Sequence, residues 1–159
     1  MKIGVVSDSH GNLKDLERAI LKLQNVDLIF HLGDFSQDGE TIKQLVSIPV
    51  IVLKGNMDYG SPFGVDYVKT LEGGKNIIAC HGHEFSVKSS LNRLFYHGKE
   101  NGADILLYGH THCPLIEEMD GIFVMNPGAL ANGGSFYGKT YGLIEIDGED
   151  IKGEIFTLD

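Results

Sequence analysis

The chain has little cysteine, no cluster of basic residues and no long apolar run. Two cysteines in 159 residues, Cys80 and Cys113, cannot build the disulfide framework of a small secreted protein, and their default reading is as small buried apolar side chains. The formal net charge is -9 and no run of Lys and Arg offsets it, so no long nucleic acid is expected as a partner. No apolar stretch approaches the ~20 residues a membrane span needs, so no membrane partner is expected. The opening MKIGVVSDSH reaches a charge too early for a signal peptide. Internal repeats, low-complexity tracts and linkers are also lacking. What is present is an ordinary globular composition, 42% hydrophobic, of a length suited to one domain spanning 1–159. The setting these features imply is the cytoplasm.

Short apolar runs alternate with helical patterns in the first half. IGVVS (3–7) reads as a buried strand, and NLKDLERAILKLQ follows with Leu13, Leu16, Ile20 and Leu23 on one face and Asn12 as N-cap. DLIFHLGD is a second strand, DGETIKQLVS a short helix from Asp38, and PVIVLKGN a third strand. This order predicts parallel strands joined by crossovers. The second half reads differently: a hairpin around Gly73-Gly74, a helix over 90–102, a strand in DILLYGH, a hairpin around Asp120-Gly121 and a terminal hairpin after Thr140. Two packed sheets with helices outside are expected.

One stretch argues for a different protein. GGSFYGKT, Gly133 to Thr140, fits the phosphate-loop pattern G-x-x-x-x-G-K-[ST] at every specified position. A phosphate loop must leave a strand and open a helix whose N-terminus helps hold the anion. Here Lys139 and Thr140 are followed by alternating β-branched residues, which read as strand, and by no room for the acidic residue that would hold Mg²⁺. The match is read as coincidence.

Polar residues at strand ends tell a more consistent story. SDSH supplies Asp8 and His10, LGD supplies Asp34, KGNMD supplies Asn56, CHGH supplies His81 and His83, and GHTH supplies His110 and His112. In an α/β sheet such carboxyl ends line the crevice where ligands bind. In an extended segment residues i and i+2 point the same way, so Asp8 with His10, and His110 with His112, are expected to reach one centre. Asp and His ligate divalent transition metals, and Asn adds a neutral oxygen. Taken singly each piece is ordinary: an Asp-x-His in a solvated loop, a His-x-His in a turn, an Asn after glycine. Five in order, each closing a strand, point to a metal site. His31 and His97 read as structural, Asp58 as orienting a neighbour, and His83 as a candidate to touch substrate.

The ordered set Asp8-x-His10, Gly33-Asp34, Gly55-Asn56, His81 and Gly109-His110-x-His112 resembles the calcineurin-like metallophosphoesterase family, above all its small bacterial and archaeal phosphodiesterases. Asn126 to Ala129 echoes the family's Asn-Pro-Gly segment. The resemblance implies an α/β fold of two mixed β-sheets packed face to face with flanking helices, four layers in αββα order. It implies two divalent metal ions, one on Asp8, His10, Asp34 and His112, the other on Asp34, Asn56, His81 and His110, with Asp34 bridging. Manganese comes first, with iron, nickel, cobalt or zinc as alternatives. The implied activity is hydrolysis of phosphodiesters or small phosphomonoesters by a bridging hydroxide, with Asp34, Asn56 and His83 as catalytic candidates and a small phosphate ester as partner. The alternative is a non-catalytic scaffold on the same fold; a homo-oligomer is left open. One departure stands out: many family members read Gly-Asn-His-Asp where this chain reads Gly55-Asn56-Met57-Asp58, and a thioether cannot donate a proton.

Overall fold

From β1 (Lys2–Val6), Ile3 and Val5 pack to one side and Val6 to the other, all fully buried. A strand covered on both faces needs an apolar run rather than alternation. A computed structural model describes residues 1–71, 73–131 and 136–159. In it β2 (Leu28–His31) and β3 (Val50–Val52) extend β1 in parallel, while β9 (Thr140–Asp147) and β10 (Asp150–Thr157) add antiparallel strands in the order β10-β9-β1-β2-β3. A second five-stranded sheet runs β4-β5-β6-β8-β7. Its inner strands β5 (Asn76–Cys80), β6 (Ile105–Leu107) and β8 (Ile122–Asn126) are parallel, with β4 (Asp66–Thr70) and β7 (Leu115–Met119) antiparallel at the edges.

The inner faces meet through Ile3, Val5, Phe30, Leu32, Ile77, Ile105, Leu107 and Met125. Helices α1 (Leu13–Lys22) and α2 (Ser36–Leu45) cover the outside of the first sheet, where Leu16, Ala19, Ile20 and Ile42 meet Val6, Ile29 and Val52. Helix α3 (Asn92–Glu100) covers the second sheet by burying Leu94 against Ile78, Leu106 and Val124. Emptying such a position, as in Leu94→Ala, typically costs about 2–5 kcal/mol. The result is the expected helix–sheet–sheet–helix layering.

Several local expectations change. Asn12 precedes α1 but makes no side-chain cap; its amide donates to Asp15 (2.9 Å) and to the Leu130 carbonyl (2.8 Å), tying the helix to the segment after β8. Helix α2 starts at Ser36 rather than Asp38, because left-handed Phe35 turns the chain there. A single 3-10 turn at His83–Phe85 was not foreseen. Cys80 is buried, but Cys113 is exposed, since its segment precedes edge strand β7. The turn at Asp120-Gly121 has positive φ at both residues (51° and 80°), the geometry a tight hairpin needs.

Gly133 to Ser135 of the phosphate-loop pattern lie outside the described residues. Its other end is settled: Thr140 opens β9, not a helix, and the Lys139 ammonium is paired with the Asp15 carboxylate. No helix among the described residues is long and apolar enough to cross a membrane.

Candidate metal centre

The parallel strands of both sheets deliver their carboxyl ends to one rim, and the side chains named from the sequence converge there. Asp8 and His10 follow β1, Asp34 follows β2 and Asn56 lies four residues beyond β3; His81 follows β5, and His110 and His112 follow β6. Two groups form, Asp8 with His10 and His112, and Asp34 with His81 and His110, the ligand atoms within each lying inside 4.8 Å of one another. In the first, His112 Nε2 is 3.0 Å from Asp8 Oδ1 and 3.4 Å from His10 Nε2. In the second, His81 Nε2 is 3.2 Å from both Asn56 Oδ1 and His110 Nδ1. Asp34 Oδ2 joins the groups, 3.5 Å from His10 Nε2 and 3.5 Å from His81 Nε2. Atoms bonded to one ion at ~2.1 Å stand about 3.0–3.4 Å apart, so these spacings match the edges of a coordination shell.

Each carboxylate is divided between the protein and the centre. Asp8 Oδ2 accepts from the Ser7 hydroxyl (2.5 Å) and the His110 N–H (3.0 Å), which turns Oδ1 inward. Asp34 Oδ1 accepts from the Met57 N–H (3.0 Å), which turns Oδ2 inward. His81 donates through Nδ1 to the Leu32 carbonyl (3.0 Å), leaving Nε2 facing the centre. Such outer partners fix the orientation of metal-binding side chains.

The convergence does not come from extended backbone. Asp8, His10, Asp34, His110 and His112 all have positive φ, between 46° and 67°. Non-glycine residues rarely adopt this conformation, and it persists where surrounding contacts enforce it. The extended-backbone premise of the i, i+2 reading therefore fails, although all four residues reach the rim: Asp8 and His10 share a group, while His110 and His112 fall in different groups, the division the resemblance had implied. Close approach matters too. A Cβ on Gly55 would lie 2.2 Å from Asp34 Oδ1, and one on Gly109 would lie 2.8 Å from Asp8 Oδ2.

Buried polar groups hold these turns. The Gly33 N–H donates to His31 Nδ1 (3.3 Å), so His31 Nε2 donates to Ser9 Oγ (3.0 Å), whose hydroxyl donates to Asp38 (2.6 Å). Asp38 also accepts from the Gly11 N–H (2.9 Å). Asp58 accepts from the N–H groups of Ser36 and Gly55, both at 2.7 Å, which is the orienting part read for it. The Asn126 amide donates to the Gly109 carbonyl and to Thr111 Oγ1, both at 3.0 Å, so the Asn-Pro-Gly segment steadies the His110 turn.

The electrostatics suit a divalent cation. Burial pushes Asp34 up, but His81, the Met57 N–H and His10 outweigh it and leave the carboxyl at about 2. Asp8 is likewise lowered against its burial, by His112, His81 and Ser7. Burial, with the charges of His81 and Lys88, lowers His110 to about 4, so its ring offers a neutral lone pair. His81 moves the other way: burial opposes, but the Asp34 and Asp8 carboxylates and the Leu32 carbonyl raise it. Acceptors thus surround a point that favours positive charge, and the mixed oxygen and imidazole donors fit a transition metal.

A family model described as the calcineurin-like phosphoesterase superfamily domain matches residues 1–149. The chain belongs to that superfamily. A probable metallophosphoesterase of Bacillus subtilis, YsnB, is 33% identical over 131 residues, covering 82% of this phosphoesterase-family chain and 75% of the relative. The phosphodiesterase MJ0936 of Methanocaldococcus jannaschii is 30% identical over 151 residues, covering 80% and 83%. The crystal structure of a predicted phosphoesterase from Streptococcus pneumoniae superposes with a TM-score of 0.81 at 32% identity, over 98% of this chain and 88% of the other. Likeness of fold alone extends to Entamoeba histolytica Vps29 complexed with Zn²⁺, with a TM-score of 0.78 and 21% identity over the whole of both chains.

Around the centre of this superfamily member, His83 sits in the 3-10 turn with its ring 5.5 Å from that of His81 and 6.1 Å from that of His110. Burial and the His81 charge lower its pKa, so the ring is neutral. Met57 contributes through its backbone, and its side chain is half-exposed beside Phe35 and Tyr59. His31 is fully buried in the support network, and His97 packs on Phe85, as their structural reading requires. Ser7, Ser9 and Asp38 were missed; they carry no spacing signal, because hydrogen bonds across loops do not repeat along the chain.

Proposed function

We propose that this protein hydrolyses phosphodiesters, or small phosphomonoesters, at a centre holding two divalent transition metals, manganese first. The observation that carries the reading is the position of Asp34 Oδ2, 3.5 Å from a histidine nitrogen in each group, where one oxygen can serve both ions. Asp8, His10, Asp34 and His112 would hold one ion, and Asp34, Asn56, His81 and His110 the other. Such ions, when bound, would neutralise the phosphoryl oxygens and lower the pKa of water, the chemistry that hydrolysis of a phosphate ester needs. The chain supplies the rest. Asp8 and Asp34 return only two negative charges, so the centre keeps a net attraction for phosphate within a protein of charge -9. The Ser7, Met57 and Leu32 hydrogen bonds keep the ligand atoms aimed, and His83, whose ring lies 5.5 Å from that of His81 and 6.1 Å from that of His110, would stand beside a bound ester. The two thiols, Cys80 and Cys113, are free, and we infer a cytoplasmic setting.

The test is elemental analysis together with an activity screen across metals and phosphate esters. Asp34→Asn is expected to lose most activity and at least one ion. His112→Ala should weaken the ion shared with Asp8, and His81→Ala the other. A scaffold would show no metal-dependent hydrolysis with any ester, and Asp34→Asn with full activity and two ions per chain would sink the assignment.

A further inference from the structure

We infer that a cleft beside the metal centre selects phosphoesters that carry an uncharged planar aromatic group, an inference that rests on the proposed phosphoesterase activity. A cavity of about 380 Å³ lies between Phe35, at the start of α2, and the loop 57–63, and this volume falls in the range of small-molecule sites. It adjoins the candidate centre through Phe35 and Met57, although none of the candidate ligands lines it. Phe35 follows Asp34 and sets its ring 5.8 Å from that of His10, while Met57 follows Asn56 and gives its N–H to Asp34. A phosphoryl group held at the centre therefore has its ester substituent beside this cleft.

The lining says what that substituent is. Phe35, Tyr59 and Phe63 supply three rings and Met57 a thioether, and both favour aromatic neighbours over aliphatic ones. Tyr59 is 90% exposed, Met57 49% and Phe35 40%, a grouping of large apolar side chains in water that packing within the chain does not explain. Among the described residues no Lys, Arg or His lines the cleft, although the Lys43 ammonium sits 4.9 Å from the centroid of the Phe63 ring, and the acid in its lining, Asp58, has both oxygens taken by the N–H groups of Ser36 and Gly55, so an uncharged occupant fits. The walls are also fixed. Asp58 ties α2 to the loop after β3, and Ser36 Oγ meets Ser61 Oγ at 2.9 Å, so little ordering is left to oppose binding.

The experiment titrates zinc-loaded protein with methyl-, butyl- and phenylphosphonate, following backbone amides by NMR. Phenylphosphonate is expected to bind roughly tenfold tighter than methylphosphonate and tighter than butylphosphonate. It should also move the amides of Tyr59, Gly60 and Ser61, which methylphosphonate leaves in place. Tyr59→Ala, at a position too exposed to threaten folding, should shrink the phenyl-to-methyl ratio to below about threefold, and Tyr59→Phe should restore it. Equal affinities for the three probes, a butyl probe as tight as the phenyl one, or a ratio untouched by Tyr59→Ala would each overturn the inference. Failure of the activity itself reads differently: the protein would then hydrolyse no ester in the activity screen, while phenylphosphonate would still move the Tyr59 and Gly60 amides if the cleft is as described. Amides that stay still in every titration remove the cleft whatever the activity.

Discussion

Alanine in place of Gly55 would test how far the centre depends on two loops touching. Gly55 does not occupy the left-handed region, so alanine meets no backbone penalty there. The cost is contact: the new Cβ would lie 2.2 Å from Asp34 Oδ1 and 2.6 Å from Asp34 N. To reach even the 3.0 Å below which real Cβ contacts essentially do not occur, the carboxylate must retreat by about 0.8 Å and the Asp34 backbone by about 0.4 Å. That movement breaks the hydrogen bond from Met57 and swings Oδ2 away from the line between His10 and His81. A misplacement approaching 1 Å in a catalytic constellation costs about 10²-fold in rate. Overpacking of this kind costs about 1–3 kcal/mol in stability, several degrees in Tm and short of unfolding. Gly55→Ala is therefore expected to stay folded, hold less metal and lose about a hundredfold in kcat/KM. The control is Gly64→Ala, whose Cβ meets only the Asp66 carbonyl at 3.3 Å. Metal content by mass spectrometry, steady-state kinetics and thermal melts decide it. A Gly55→Ala enzyme with wild-type metal and wild-type rate would refute the reasoning.

Met57 cannot protonate a leaving group, and general acid help is worth ~10²–10⁴-fold, most for poor leaving groups. Rates on a series of diesters should fall steeply as leaving-group pKa rises, and Met57→His should flatten that fall; a flat wild-type series with chemistry rate-limiting would reveal another acid. Asp15 is held well below the usual carboxylate range, first by the Lys139 ammonium and then by Asn12, although its burial opposes this. A depressed pKa contributes stability that is present at neutral pH and lost as pH falls below the ordinary carboxylate value toward the folded one. Asp15→Asn should lower stability to urea at pH 7 and make the loss below about pH 4 shallower; curves for variant and wild type that run parallel into acid would contradict it.

Much of the architecture was legible because burial leaves a mark in sequence. The run Ile3 to Val6 and the run Ile105 to Leu107 are buried on both faces, and short apolar runs with β-branched residues, bounded by polar turn residues, read as inner strands. The centre was legible because its residues follow those strands directly. What could not be read was how the loops turn. Spacing alone could say only that His110 and His112 reach one centre; the resemblance implied their division between two groups, but nothing in the letters GHTH announces the left-handed residues, at φ 67° and 58°, that produce it. Asn12 looked like a cap and instead reaches Leu130, 118 positions away, a contact that exists only once the sheets have met. The supporting chain from Gly33 through His31 and Ser9 to Asp38 is invisible for the same reason.

The two candidate groups draw on both sheets. Asp8 and His10 come from the first sheet and His112 from the second; Asp34 comes from the first, His81 and His110 from the second. An ion seated in either group is thus a rivet through the sandwich, joining layers whose inner faces meet through apolar side chains. Its binding energy enters the stability of the whole fold by mass action, about 2.7 kcal/mol when free metal stands at a hundred times Kd. The rim that does the chemistry would then also be the clasp that keeps the layers in register, and stripping the metal would loosen the sandwich from its reactive edge inward.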